Sequence, residues 1–303
     1  MKKKILIIGS GSIGKRHASI IKKLNLQTNI FIFSSRNIKL SNNIRKLSDI
    51  RKIDPDYIII CSKTSDHYNH LKYIEKNLAK KIILVEKPLF HKVKKLKILK
   101  NKVFIGYNLR QHPILQYIKK FIKNKKVFSV DIACHSYLPS WRKNINYKKS
   151  YSAQRNLGGG VLLDLSHELD YLTWIFKNVT KIHSVSVKKL SNLEINSEDY
   201  AFISGKTKLS NFTVSLNYFS LNPKREITIN GKNFSVKADL INNSIEIFNA
   251  NKKKKFITFK NNKNYTYIAQ HKLLLNNNFS QVCTFNEGKK LMTLIDKIKK
   301  FKK

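Results

Sequence analysis

The chain has 303 residues, 42% of them hydrophobic, which is enough for two domains with cores of their own and too apolar for a chain dominated by disorder. Sixty Lys and Arg against 18 Asp and Glu give a formal charge of +42, but the lysines run through the whole chain beside abundant Asn and Ile, as AT-rich coding produces, so no specific nucleic-acid partner is expected. Three scattered cysteines fit neither a disulfide framework nor a zinc site, no metal is expected, and no apolar run approaches the roughly 20 residues of a membrane span, so the expectation is a cytoplasmic protein with no membrane partner.

From the N-terminus, β-rich apolar runs at 4–8, 30–34, 57–61, 81–85 and 102–106 alternate with helical patterns at 14–24, 66–78 and 91–100, the second with Ser65 or Asp66 as its cap. This is the pattern of βαβ units on a parallel sheet. After Gly106 come a helix near 113–123, a strand near 126–137 and an aromatic, basic loop; Gly158-Gly159-Gly160 then opens a helical run to about Phe176. Alternating strands follow at 182–188, 199–206, 211–219, 225–230, 233–239, 244–249 and 255–259, with turns at Asn222-Pro223 and Asn230-Gly231. The tail, 265–301, reads as two helices parted near Phe285-Asn286. The expected fold is α/β: an N-terminal Rossmann doubly wound parallel sheet over 1–107, then over 108–303 an α+β domain on a large, mostly antiparallel open sheet, with the final helix free to pack back on the first domain.

The first strand runs straight into Gly9-Ser10-Gly11-Ser12-Ile13-Gly14, which opens a helix. In that context Gly9 permits a tight turn, Gly11 lets backbone approach a pyrophosphate, Gly14 lets helix pack on sheet, and the helix N-terminus faces the phosphates. About 20 residues on, where NAD binders carry an acid for the ribose 2′-OH, stands Phe33-Ser34-Ser35-Arg36. Two hydroxyls and an arginine also accommodate a 2′-phosphate, so NAD and NADP both stay open. Val85-Glu86-Lys87-Pro88 ends the fourth strand, where a lysine can exchange a proton or simply precede a turn. In the segment 158–174, Asp164 and His167 are spaced i, i+3 on one expected helix, with Glu168 or Asp170 close by, a spacing that serves acid/base work.

Together these residues resemble the Gfo/Idh/MocA oxidoreductases, the glucose-fructose oxidoreductase and inositol dehydrogenase group. The resemblance rests on the glycine loop with Arg16-His17, Thr64 with His67, Glu86-Lys87-Pro88, Gly106-Tyr107-Asn108-Leu109-Arg110, the 158–174 segment and Phe285-Asn286-Glu287-Gly288. It implies a catalytic Lys87, commonly followed by a cis proline, and an acid/base pair at Asp164 and His167. The histidine is the safer of the two, because Asp-x-x-His here replaces the family's Asp-x-x-x-His while His-x-x-Asp to Asp170 is kept. It extends the cofactor set to Cys61, Thr64, His67, Glu86, Lys87 and Asn108, and puts Tyr107 and Arg110 near the substrate.

The run Ser136 to Arg142, then Tyr147 to Ser152, resembles a branch found with surface-polysaccharide and nonulosonic-acid pathways; Trp141, Arg142, Tyr151 and Ser152 offer aromatic platforms, a cation and hydroxyls to a sugar. The expected function is NAD(P)-dependent hydride transfer at a secondary alcohol of a sugar or nucleotide sugar, in a homo-oligomer, dimer or tetramer, formed through the C-terminal sheet. The rivals are an NAD-retaining sugar hydrolase or epimerase-like enzyme without net redox change, and, further behind, a non-catalytic cofactor-sensing or polyanion-binding protein.

Overall fold

The structure, a computed structural model, describes residues 2–24, 27–34, 42–142, 146–251 and 253–301. Two compact units emerge, one of Met1–Gln111 with Lys263–Thr293 and one of His112–Asn262 with Leu294–Lys303.

The first unit begins β1 (Lys3–Ile8), α1 (Ser12–Lys23), β2 (Thr28–Phe33), β3 (Asn43–Ile44), α2 (Asp49–Ile53), β4 (Tyr57–Ile60), α3 (His67–Asn77), β5 (Ile82–Val85) and β6 (Lys102–Ile105). These six strands pair in parallel in the order β6-β5-β4-β1-β2-β3, the doubly wound order in which chain direction across the sheet reverses between β1 and β4. Ile5 to Ile8 have no exposed surface, which is why β1 reads as a continuous apolar run rather than an alternating one. A ligand crevice belongs outside the carboxyl ends of β1 and β4, where the glycine loop begins.

Two expectations for this unit need correction, and two short elements lie outside them. Residues 91–100 are not helical. Lys92, Lys94, Lys95, Lys97 and Lys100 would crowd like charges on a helix, exposure alternates instead of following a helical stripe, and Glu75 of α3 accepts the backbone N–H groups of Leu99 and Lys100, each at 2.7 Å. Neither Ser65 nor Asp66 caps α3 through its side chain: Ser65 Oγ donates instead to Asp66 Oδ1, and a short 3-10 turn, Thr64–Asp66, leads in. The pieces β3 and α2, two and five residues long, are too short to show a period.

The second unit holds α4 (Pro113–Phe121), β7 (Val127–Tyr137), α5 (Val161–Asp164), α6 (His167–Phe176), β8 (Val179–Lys188), β9 (Tyr200–Thr207), β10 (Asn211–Asn217), β11 (Phe219–Gly231), β12 (Phe234–Asp239), β13 (Ser244–Asn249) and β14 (Lys254–Thr258). They form an eight-stranded sheet, β14-β13-β12-β11-β7-β10-β9-β8, antiparallel except between β7 and β10. Asn222-Pro223 does not turn the chain; it lies inside β11 where the register to β7 shifts between Phe219 and Lys224, a gap in the ladder where a proline removes no hydrogen bond. The β11–β12 hairpin turns after Gly231, on Lys232 and Asn233, the latter at φ 67°. The run from the triple glycine is two helices rather than one, broken at Leu165 and Ser166. The chain then completes the first unit's sheet with α7 (Tyr265–Leu275) and β15 (Cys283–Thr284), antiparallel to β6, and ends in α8 (Phe285–Lys299).

Two tests follow from these contacts. Glu75→Ala removes the acceptor for the Leu99, Lys100 and Asn101 donors and should lower unfolding free energy by about 1–3 kcal/mol in denaturant titration. The His112 ring caps α4 by accepting from Ile114 N at 3.3 Å, and burial, then the Arg225 charge, hold its pKa down from 6.5 to about 4. The fold therefore favours the neutral ring: its contribution is complete above 6.5 and is lost as pH falls toward 4, up to about 3 kcal/mol, and His112→Asn, which still caps, should flatten that part of the stability–pH curve.

Candidate active site

At the carboxyl end of β1, Gly9 takes φ +116° against the Cys61 carbonyl, and a Cβ on Gly14 would lie 2.0 Å from Gly9 O, so strand, loop and α1 meet with no room for side chains. Gly11 is the opposite case: a Cβ there would meet nothing within 4 Å. That open approach leads to the first turn of the 12-residue α1, whose N-cap Gly11 offers no side-chain bond. The fit to a pyrophosphate rests on these three observations together. Ser10 Oγ and Ser34 Oγ are 2.7 Å apart at the ends of β1 and β2, while Ser35 and Arg36 lie outside the described residues.

After β5, Lys87 and Pro88 are joined by a cis peptide bond. His67 is buried, with Nε2 3.2 Å from Ser62 O and Nδ1 3.2 Å from Pro88 O, so its ring joins the loops after β4 and β5. Thr64 is buried beside it in sequence, at the start of the 3-10 turn. Glu86 Oε1 accepts from His17 Nε2 at 3.0 Å and Oε2 from the Lys87 N–H at 3.3 Å. Behind β6, Asn108 donates to Thr266 Oγ1 at 2.8 Å and Arg110 pairs with Glu287 at 2.8 Å, both inside the unit. Burial raises the Glu287 pKa, but the Arg110 charge and the Thr284 hydrogen bonds outweigh it and hold it low. Tyr107 is buried as well.

In the second unit, β7 leads into a loop of short 3-10 turns that closes on the glycines through Gly159 N to Gln154 O, 2.9 Å, and Gly160 N to Ser152 O, 3.2 Å. Asp164, at the end of α5, is buried, and its Oδ2 accepts the Tyr218 hydroxyl at 2.7 Å. Tyr151 also bonds Asp164; the carboxylate's charge, then burial, push that phenol well above its ordinary pKa and keep it a donor. Arg142 lies 5.5 Å from the centre of the Tyr151 ring and Trp141 packs edge-on to Tyr218 at 5.2 Å. Leu138, Pro139, Trp141, Arg142, Ser150 and Ser152 line a small concavity here. His167 starts α6, half-buried, across the break from Asp164. Glu168 turns to Arg225 at 2.7 Å.

Thus the aspartate's companions are two tyrosines, and Tyr218 escaped the sequence reading. Its signal was the parity of its strand run: Phe212, Val214, Leu216 and Tyr218 all point inward, and a tyrosine closing an inward face needs a buried partner for its hydroxyl. No helix among the described residues is long and apolar enough to cross a membrane, and no group of three metal-ligating side chains occurs among them.

Two family models match the chain: an oxidoreductase family, NAD-binding Rossmann fold, over residues 3–103, and an oxidoreductase family, C-terminal alpha/beta domain, over residues 119–300. The sequence matches none of the curated proteins. Among solved structures, the WlbA dehydrogenase from Bordetella pertussis in complex with NADH and UDP-GlcNAcA shares 15% identity at TM-score 0.76, covering 99% of this chain and 96% of that one. Levoglucosan dehydrogenase in complex with NADH shares 15% at TM-score 0.82 over the same fractions, 99% and 96%. The UDP-N-acetylglucosamine 3-dehydrogenase GnnA from Acidithiobacillus ferrooxidans shares 14% at TM-score 0.75, covering 98% and 97%. At this identity the likeness is one of fold.

Tyr218→Phe should cost about 1–3 kcal/mol of stability, because the buried Asp164 loses a donor, and should leave dinucleotide affinity unchanged. A variant as stable as the parent would show that this bond contributes nothing.

Proposed function

The chain belongs to the Gfo/Idh/MocA oxidoreductase family, with an NAD-binding Rossmann domain, and we propose that it oxidises or reduces a secondary alcohol of a sugar or nucleotide sugar. The observation that carries the substrate class is the concavity lined by Trp141, Arg142 and Ser152, with Arg142 over the ring of Tyr151, whose hydroxyl bonds Asp164, so that a ring, a cation and hydroxyl groups lie together. The sugars and nucleotide sugars named for structures of like fold support the same class. A role in surface-polysaccharide or nonulosonic-acid synthesis fits that substrate.

Gly9, Ser10, Gly11, Ser12, Ile13 and Gly14 would hold the pyrophosphate, with Ser34 toward the adenosine ribose; a part-buried serine pair there, with no carboxylate in the sequence Phe33-Ser34-Ser35-Arg36, is compatible with NADP as well as NAD. The bound dinucleotide supplies the hydride acceptor or donor. Lys87 takes or returns the hydroxyl proton and His167 serves as the second acid/base group. Asp164 accepts hydrogen bonds from Tyr218 and Tyr151 and thereby holds Tyr151, and with it the loop assigned to the sugar, in place. In the same proposal the chain self-associates through the second sheet, on which Phe128, Phe248 and Phe256 are exposed.

Lys87→Ala tests the reading. With UDP-N-acetylglucosamine, levoglucosan and related sugars as probes, turnover measured by NADH absorbance should fall roughly 10²–10⁴-fold while dinucleotide affinity persists. Unchanged turnover would remove Lys87 from the mechanism, and product formed without net change in NADH would select the redox-neutral chemistry instead.

A further inference from the structure

Four buried polar groups cross the apolar face of the first unit's sheet, and the chemistry assigned to Lys87 uses none of them beyond Glu86. Tyr57 opens β4, His271 lies on α7, His17 on α1, and Glu86 follows β5. The Tyr57 hydroxyl is 2.9 Å from His271 Nδ1, His271 Nε2 is 2.8 Å from His17 Nδ1, and His17 Nε2 is 3.0 Å from Glu86 Oε1. Relative exposure is 1% for Tyr57, 0% for both histidines and 8% for Glu86. Ile5, Ile7, Ile59, Leu84 and Leu274 share the face, so an all-apolar core was within reach of the fold. Polar groups retained in such a place cost stability unless each is satisfied.

Counting protons sets their order. A carboxylate only accepts, so His17 donates from Nε2. An uncharged His17 then accepts at Nδ1, His271 must carry its proton on Nε2, and Tyr57 must donate to His271 Nδ1. The opposite order between Tyr57 and His17 would require a buried imidazolium at His17 and a His271 protonated at Nδ1; the two orders differ by one proton and are told apart by the His271 tautomer. Burial, and then the neighbouring His17, keep His271 well below the ordinary imidazole range; burial, and then the Glu86 charge, keep the Tyr57 phenol well above its own. A chain whose far end neither releases nor takes up a proton conducts nothing. It can hold an orientation. Of the other groups that face it, Tyr267 meets His17 edge-on at 5.6 Å and carries the Arg16 guanidinium 4.8 Å from its ring centre.

We propose that Tyr57, His271 and His17 are positioning residues: in the single donor order Tyr57 to His271 to His17 to Glu86 they clamp the carboxylate whose other oxygen accepts the Lys87 amide, and so fix the backbone from which Lys87 projects. Gly106 leaves the space this needs, since a Cβ there would lie 2.8 Å from Glu86 Oε1. The inference rests on the reading of Lys87 as the proton-handling group.

The test uses readouts that need no substrate. In ¹⁵N-histidine spectra of the whole chain at neutral pH, His17 and His271 should both be Nε2–H tautomers; Nδ1–H at His271 overturns the donor order. Amide exchange at Lys87 should speed up roughly tenfold or more in His17→Leu while the β1 and β4 amides keep their protection, and His17→Gln, whose amide can still donate to Glu86, should restore the slow rate. Equal Lys87 exchange in the parent and His17→Leu, or loss of protection throughout the sheet in both variants, refutes the clamp. Should His17→Leu fail to fold, the parent's tautomers and Lys87 exchange in His17→Gln decide it. Because these measurements are independent of turnover, an active Lys87→Ala would sink the catalytic reading and leave the clamp standing, and the reverse holds equally.

Discussion

The constraint on which the first unit depends is the close approach at the end of β1, where Gly14 sits so near Gly9 O, and Gly9 so near Cys61 O, that no Cβ fits at either position. Removing two side chains brings α1 down on the sheet, and this sets where its N-terminus points and how His17 reaches inward toward Glu86. The open approach to the α1 N-terminus and the buried polar chain are therefore two consequences of one steric fact. The flanking strand can be as apolar as Ile5 to Ile8 because the doubly wound order covers both of its faces.

In the second unit the organising interaction is the buried Asp164 carboxylate with phenols of different origin, Tyr218 from the bend between β10 and β11 and Tyr151 from the loop after β7. A buried carboxylate needs such donors, and here they come from the sheet and from the segment that carries Trp141 and Arg142. The interruption at Leu165 and Ser166 fits this role: Asp164 belongs to a short helix tied to the sheet, and His167 begins a second helix that presents its own first turn. The shortened Asp-x-x-His spacing thus does not mean one residue too few on a continuous helix, because the helix is not continuous.

Identity of about 15% with structures of TM-score near 0.8 shows how little of the sequence the architecture demands. What it demands is local: a glycine where backbones touch, an apolar run where a strand is covered twice, alternation where one face of a sheet is solvated. The +42 charge is compatible with all of it, since lysines at exposed ends and loops leave both cores apolar.

Sequence alone determined the five longer strands of the Rossmann unit and its helices α1 and α3, the glycine loop at its switch point, the mostly antiparallel second sheet and the family resemblance, because each is written in periods and spacings within about 20 residues. It misjudged 91–100, where the decisive acceptor, Glu75, stands on another element, and Asn222-Pro223, where a bulge rather than a turn absorbs the proline. Only the tertiary structure decided which partners the polar residues take. Tyr57, His17 and His271 are separated by as many as 254 positions yet lie within hydrogen-bond reach, and Tyr218 meets Asp164 across 54. Such pairings depend on how strands and helices stack, and no local period encodes them.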